Sequence, residues 1–274
     1  MMYLLSAVRH PTIDPVFFRL GPIQLRWYGL AYVMGFFLGY LALGRLVKSG
    51  RMRITHDALA DLISWVILGV LLGGRLGWWL FYHRPTGERE PWYEPIALWH
   101  GGMSFHGGLI GVMIAVGIWG WLSKAPIWNI ADNLALVVPI GLFFGRIANF
   151  INAELFGRPS DVPWAVIFPG ESFGRHPSQI YEAILEGPVL LGFVWLVARM
   201  TRGSNREGQI AGAFLTFYGL ARFTVEFTRE PDPQLGFIAF GWLTMGQILS
   251  SVMALIGVVV WISRSLAEAT PTSP

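Results

Sequence analysis

Residues 128–157 read WNIADNLALVVPIGLFFGRIANFINAELFG. Most of this stretch is an apolar run of the roughly 20 residues that a membrane-crossing helix needs. It ends in a polar stripe, with Arg146, Asn149 and Asn152 recurring every third residue on one helix face. An apolar helix that closes on an arginine reads as a membrane span with a polar site at one end. The composition of the 274-residue chain agrees: 54% of residues are hydrophobic and 14% charged, with a mean hydropathy of +0.51. A soluble domain carries about 25% charged residues, so too few charges are present to cover a wetted surface. Thirteen Trp, eight Tyr and 33 Gly suit interfacial belts and close helix packing.

Six further apolar segments extend outward from this one, giving candidate spans at about 26–47, 58–82, 105–123, 128–150, 178–198, 209–228 and 240–262. The expected fold is an all-α polytopic membrane protein of about seven transmembrane helices, forming a single multi-span domain over residues 1–274. Residues 14–25 read as interfacial or as a plain loop. The apolar run Tyr3–Val8 is too short for a signal peptide, and Arg9, His10, Pro11 and Asp14 follow it at once. Two compact loops hold the dense basic clusters, Arg45, Lys48, Arg51 and Arg53 in one and Arg199, Arg202 and Arg206 in the other. Basic loops stay cytoplasmic. The N-terminus is therefore expected outside, the C-terminus in the cytoplasm, and the long loops at about 83–104 and 151–177 on the outer face.

Several function classes drop out. With no Cys, disulfides, a Cys nucleophile, Cys-ligated zinc and iron–sulfur clusters are excluded. The small net charge of +3 makes nucleic acid an unpromising partner. His10, His56, His83, His100 and His176 show no metal-ligand spacing, and no HExxH motif is present. Lys48 and Lys124 are both in loops, which removes a retinal Schiff base. A lipid or anion transporter would show inverted repeats or paired broken helices; the double occurrence of YGLA, at 28–31 and 218–221, is no more than an echo.

Arg75, Arg146 and Arg222 lie inside apolar sequence, where an arginine costs about 2.5–3.5 kcal/mol on insertion scales and cannot shed its proton. Each must pair, face water or bind an anion. Tyr218, Arg222, Glu226 and Arg229 share one helical stripe. Arg222 and Glu226 can bond locally, which leaves Arg229 with charge to offer. Two guanidiniums at one depth, Arg146 and Arg222, suggest an anion held between them by planar bidentate forks. Arg75, in LLGGRLGWWL, reads as structural. Ser104 is a candidate N-cap, which places His106 in a first turn where the helix dipole disfavours the imidazolium; His106 reads either as a neutral ring able to accept a proton or as a His bonded to a loop carbonyl. Gly107 with Gly111, and Gly141 with Gly145, offer close-packing faces. Arg175, His176, Gln179 and Glu182 converge at the mouth of the fifth span, and Tyr28 opens the first.

Together these segments resemble the bacterial prolipoprotein diacylglyceryl transferase family. The family signature GRxxNFxNxExxG is met at Gly145, Arg146, Asn149, Phe150, Asn152, Glu154 and Gly157. HGGLIG (106–111), RHPSQIYE (175–182), YGLARFTVEFTREPD (218–232) and RWYG (26–29) resemble further family blocks in the same order. The resemblance implies an enzyme of the bacterial cytoplasmic membrane whose partners are phosphatidylglycerol, the lipobox segment of a preprolipoprotein and membrane lipids. It would move the diacylglyceryl group onto the lipobox Cys thiol, form a thioether and release glycerol phosphate. No cofactor or metal is implied. By resemblance His106, Arg146 and Arg222 are catalytic, the two arginines also bind phospholipid, and Tyr28, Asn149, Asn152, Glu154, Gly157, Glu182, Glu226 and Arg229 support substrate binding. The chemistry is compatible. The leaving group is an anion that fixed guanidiniums stabilise, and a thiol of pKa about 8.5 needs a base or a positive field. His106 is the candidate base; Arg146 and Arg222 are the alternative as the field. Glu154 and Glu226 are expected to orient the arginines.

Overall fold

A computed structural model describes residues 8–20, 23–81, 91–98, 102–202, 206–231 and 236–267. The chain is mostly helical. α1 spans Trp27–Lys48, α2 His56–Phe81, α3 Phe105–Leu122, α4 Ile127–Ala135, α5 Val138–Ile151, α6 Ser178–Ile184, α7 Leu190–Met200, α8 Gln209–Glu226 and α9 Met245–Leu266. Four helical stretches are long and apolar enough to cross a membrane: Trp27–Lys48, His56–Leu80, Ser178–Met200 and Met245–Leu266. A fifth exists if α4 and α5, bent by 42°, form one span. The expected continuous helix over 128–150 is thus broken. Pro139 sits in the first turn of α5, where its missing N–H and ring forbid continuation from α4.

The span expected at 178–198 is also interrupted, by a π-turn over Leu185–Val189 that contains Pro188 and a non-helical Gly187 (φ −94°, ψ −108°). α9 starts later than expected. Thr244 accepts from Gln247 N–H while the Gln247 side chain returns to the Thr244 N–H, a capping box that fixes the start. Just before it, Phe240 (φ 54°) and Gly241 (φ 68°) turn left-handed, a backbone no helix adopts.

The helices are not the whole architecture. Within residues 14–26, β2 (Val16–Leu20) pairs antiparallel with β3 (Ile23–Arg26). β1 (Val8–Arg9) pairs parallel with β4 (Val166–Ile167). These short strands qualify the all-α expectation without displacing it.

Two compact units are distinguished, Met1–Ala42 with Ala131–Pro274, and Leu43–Ile130. In the second, α2 and α3 meet at glycines. A Cβ on Gly77 would lie 2.6 Å from the Gly107 Cα, and one on Gly111 2.8 Å from the Gly73 Cα, so the Gly107/Gly111 face packs as its spacing suggests. Ser104 caps α3, accepting from Gly107 N–H at 3.2 Å. Arg75 is fully buried. It pairs with Glu94 at 2.7 Å, donates to the Glu94 carbonyl and lies over the Trp78 ring. In the first unit, a Cβ on Gly35 of α1 would stand 3.1 Å from the Gly141 Cα of α5, whereas Cβ atoms on Gly141 and Gly145 would meet nothing within 4 Å among the described residues. Asp132 caps α8 by accepting from Gly208 and Ala211 N–H, each at 2.8 Å.

Candidate active site

Three helical segments of the first unit bring their polar residues to one point. α5 supplies Arg146, α6 Glu182, the π-turn Glu186, α8 Arg222 and Glu226, and the residue three beyond α8, Arg229. Glu182 is the hub. Its Oε2 lies 3.0 Å from Arg146 Nη1, and its Oε1 accepts from Arg222 Nη1 at 3.0 Å and Arg229 Nη1 at 2.8 Å. Glu186 Oε2 accepts from Arg146 Nε at 2.9 Å, and its Oε1 from Nη2 at 3.4 Å. Glu226 pairs with Arg222 Nη2 at 2.9 Å and sits 3.4 Å from Arg229 Nε. Thr244 donates to the remaining Glu226 oxygen at 3.0 Å.

Burial decides what this cluster is. The Glu182 and Glu186 side chains are 0% exposed, while Arg146, Arg222 and Arg229 keep 14–17%. Buried carboxylates persist only when paired and hydrogen-bonded, and here three guanidiniums compensate three. The arginine side chains are more exposed than the acids. Each Nη nitrogen carries a second N–H beyond the pairing bond, so these part-exposed side chains retain donors for an anion.

This arrangement revises the expected geometry. The group between Arg146 and Arg222 is the Glu182 carboxylate. The local Arg222–Glu226 bond forms as its spacing implies, but Arg229 holds no charge in reserve, since it pairs with both Glu182 and Glu226. Among the described residues Glu154 bonds no arginine. It accepts from Asn149 Nδ2 at 2.7 Å, and its carbonyl accepts from Gln179 Nε2 at 2.7 Å. Ala153 (φ 53°) and Leu155 (φ 57°) flank it in left-handed conformations, a strain of the kind that clusters at functional sites.

Asn152 closes α5, its N–H donating to the Ala148 carbonyl at 3.0 Å. Gly157 donates to the His176 carbonyl at 2.9 Å, and a Cβ there would come within 2.7 Å of the His176 Cβ; close backbone approach demands glycine at this position. Arg158 donates from Nε to the Arg229 carbonyl at 2.6 Å, tying this loop to the end of the cluster. Arg175 pairs with Glu171 and Glu230. Tyr28 rests against Tyr32, ring centroids 5.2 Å apart. His106 lies in the first turn of α3, but its side chain is outside the described residues. Tyr218 is buried among the cluster's helices, its hydroxyl without a hydrogen-bond partner among the described residues.

The residues 15–263 match the family model for prolipoprotein diacylglyceryl transferase. The chain belongs to the prolipoprotein diacylglyceryl transferase family. Its relatives are similar along their whole length. The protein named phosphatidylglycerol–prolipoprotein diacylglyceryl transferase in Rhodospirillum rubrum is 50% identical over 268 residues, covering 97% of both chains. Those of the same name in Sinorhizobium medicae and Nitratidesulfovibrio vulgaris are 48% identical over 274 residues (97% of both chains) and 47% over 264 residues (94% of this chain, 97% of the relative). Within this family the sequence offers Glu186, with Glu182 and Glu226, as one of the few acids in the spans able to pair with an arginine, but does not place it in the site. Thr244 is missed altogether, because its partner lies 18 residues away.

Proposed function

We propose that this chain transfers the diacylglyceryl group of phosphatidylglycerol to the lipobox Cys thiol of a preprolipoprotein, the first step of bacterial lipoprotein maturation. The observation that carries this reading, beside the family match, is the convergence of Arg146, Arg222 and Arg229 on buried carboxylates while their own side chains stay part-exposed. The headgroup phosphate binds these guanidiniums. The thiol sulfur attacks the glyceryl carbon; the C–S bond forms as the C–O bond to phosphorus breaks, and glycerol phosphate leaves with the negative charge. Guanidiniums already fixed by Glu182, Glu186 and Glu226 stabilise that charge without reorganising. The chain has no Cys, in keeping with a nucleophile supplied by the substrate. The thiol proton goes to His106, or the thiolate forms in the arginine field. Tyr28, Asn149, Asn152, Glu154 and Gly157 shape the surrounding binding surface; the Asn149–Glu154 bond supports that role.

The finer membrane reading is seven spans, adding α3, α8 and the bent α4–α5 pair to the four long apolar stretches, with the N-terminus outside and the C-terminus cytoplasmic. The enzyme sits in the cytoplasmic membrane with its site on the outer side, and the two units act as one membrane domain. Both unit junctions fall inside helices, α1 and α4, rather than in linkers.

Transfer of labelled diacylglyceryl from phosphatidylglycerol vesicles to a lipobox peptide by purified protein tests the activity; transport of the lipid without thioether formation would refute it. Sidedness is read with single Cys substitutions in this Cys-free chain. Ser172→Cys should react with an impermeant thiol reagent in intact cells, and Ser204→Cys only with a permeant one. Reversed labelling would overturn the outer-face site.

A further inference from the structure

Among the described residues Glu186 pairs with Arg146 and grips it at Nε and Nη2. Arg146 also meets Glu182, but Glu182 is shared with Arg222 and Arg229, whereas Glu186 is aimed at the Nε–Nη2 side of Arg146. The carboxylate is also delivered at a local cost. Without the π-turn, α6 and α7 would run as one regular helix; instead Gly187 leaves helical geometry and Pro188 follows it. A Cβ on Gly187 would lie 2.8 Å from the Phe143 Cβ, and Phe143 precedes Arg146 by one helical turn. The π-turn therefore bears directly on the part of α5 that carries the arginine, and π-turns inside helices recur at functional sites.

Charge gives this contact a second consequence. Three arginines and three glutamates make the empty cluster neutral. A phosphodiester adds a negative charge and competes with Glu186 for the donors of Arg146. Removing Glu186 then favours anion binding while releasing the plane of the guanidinium.

We propose that Glu186 is a positioning residue for the transfer reaction: it fixes the plane of Arg146 against the departing phosphate and opposes over-tight binding of the lipid anion. The proposal rests on the reading that Arg146 contacts the headgroup phosphate. The test measures kcat and apparent KM for phosphatidylglycerol in mixed micelles, with a lipobox peptide as acceptor. Glu186→Gln keeps size and one acceptor, and should lose at least about tenfold in kcat while its KM stays level or falls. Glu186→Ala should lose more. Glu186→Asp keeps the charge but shortens the reach; it should also lose kcat, and it decides the matter if the other variants do not fold. A merely structural glutamate would lower yield and thermal stability and leave both kinetic constants of the folded enzyme unchanged, which overturns the proposal. Arg146→Lys separates the two readings. Full activity in that variant refutes the phosphate contact itself. If it is impaired while Glu186→Gln matches wild type, the positioning role alone fails. In the Arg146→Lys background, Glu186→Gln should add no further loss; an additive loss would show that Glu186 acts by another route.

Discussion

Arg75 and the cluster of Arg146, Arg222 and Arg229 both place arginine in apolar surroundings, and they solve the problem differently. Arg75 is closed off: 0% of its side chain is exposed, and one carboxylate, one carbonyl and the Trp78 face take up its guanidinium. At the cluster of Arg146, Arg222 and Arg229, Glu182 and Glu186 are sealed and the arginine side chains stay part-exposed. In one case the charge is consumed by structure, and in the other it is presented. Arginine in a membrane segment is therefore not by itself a sign of function. The discriminating feature is which partner of the ion pair is the more exposed.

The largest effect expected from that contrast is at Arg146 and Arg222. Arg→Lys keeps the charge and loses the planar fork. Each Lys variant should lose at least about tenfold in turnover, since a hydrogen bond to a charged group is worth roughly 1.5–3 kcal/mol. Each Ala variant should be worse, because Glu182 is left under-compensated where water cannot reach it. Thermal stability is measured alongside, so that lost folding is not mistaken for lost chemistry. Full specific activity in both Lys variants would reduce the clamp to a diffuse positive field.

Next in size is Arg75, and there the prediction reverses. Breaking a buried pair from one side costs about 3–5 kcal/mol, so Arg75→Ala should fall sharply in yield and thermal midpoint while the folded fraction keeps wild-type specific activity. A normal thermal midpoint with lost turnover would erase the distinction between the two regions.

The two regions also differ in how much of them the sequence discloses. Apolar runs locate the helical segments, and spacing alone foretells the Ser104 cap, the Gly107/Gly111 face and the Arg222–Glu226 pair, all of which are local along one helix. What spacing cannot supply is the partner across 40 residues. Arg146 meets Glu186 and Glu182 meets Arg222 at that separation, and nothing in a helical stripe states its depth or its neighbour. For the same reason Glu154 was assigned to the arginines and is found on Asn149. Pro139 and Pro188 were visible, yet a proline marks a break without saying whether the chain bends by 42° or bulges into a π-turn. The paired strands within 16–26 lack clean alternation, with Val-Phe-Phe running together, and so stay hidden.

The smallest predicted effect concerns how the loop at the edge of the cluster responds to pH. The titratable neighbour is His176, in the loop before α6. Partial burial, and then the Arg158 guanidinium, hold its imidazole below the usual 6.5. Its Nδ1 lies 3.2 Å from the Tyr181 hydroxyl. The sign follows from the two states. Above about pH 6.5 the ring is neutral whether the chain is folded or not, and the preference contributes fully. As pH falls below that, the unfolded chain takes up the proton first, so folded stability is lost progressively through the lowered folded value. The loss should be confined to acid pH and absent from His176→Gln, compared by thermal midpoints at pH 7.5 and pH 5. Arg158→Gln should raise the His176 pKa and shrink the difference. Because Arg158 also holds the Arg229 carbonyl, acid should lower turnover modestly in wild type before the enzyme unfolds. Midpoints that fall equally in wild type and His176→Gln would remove His176 from this account and leave the cluster without a pH-sensitive neighbour on that side.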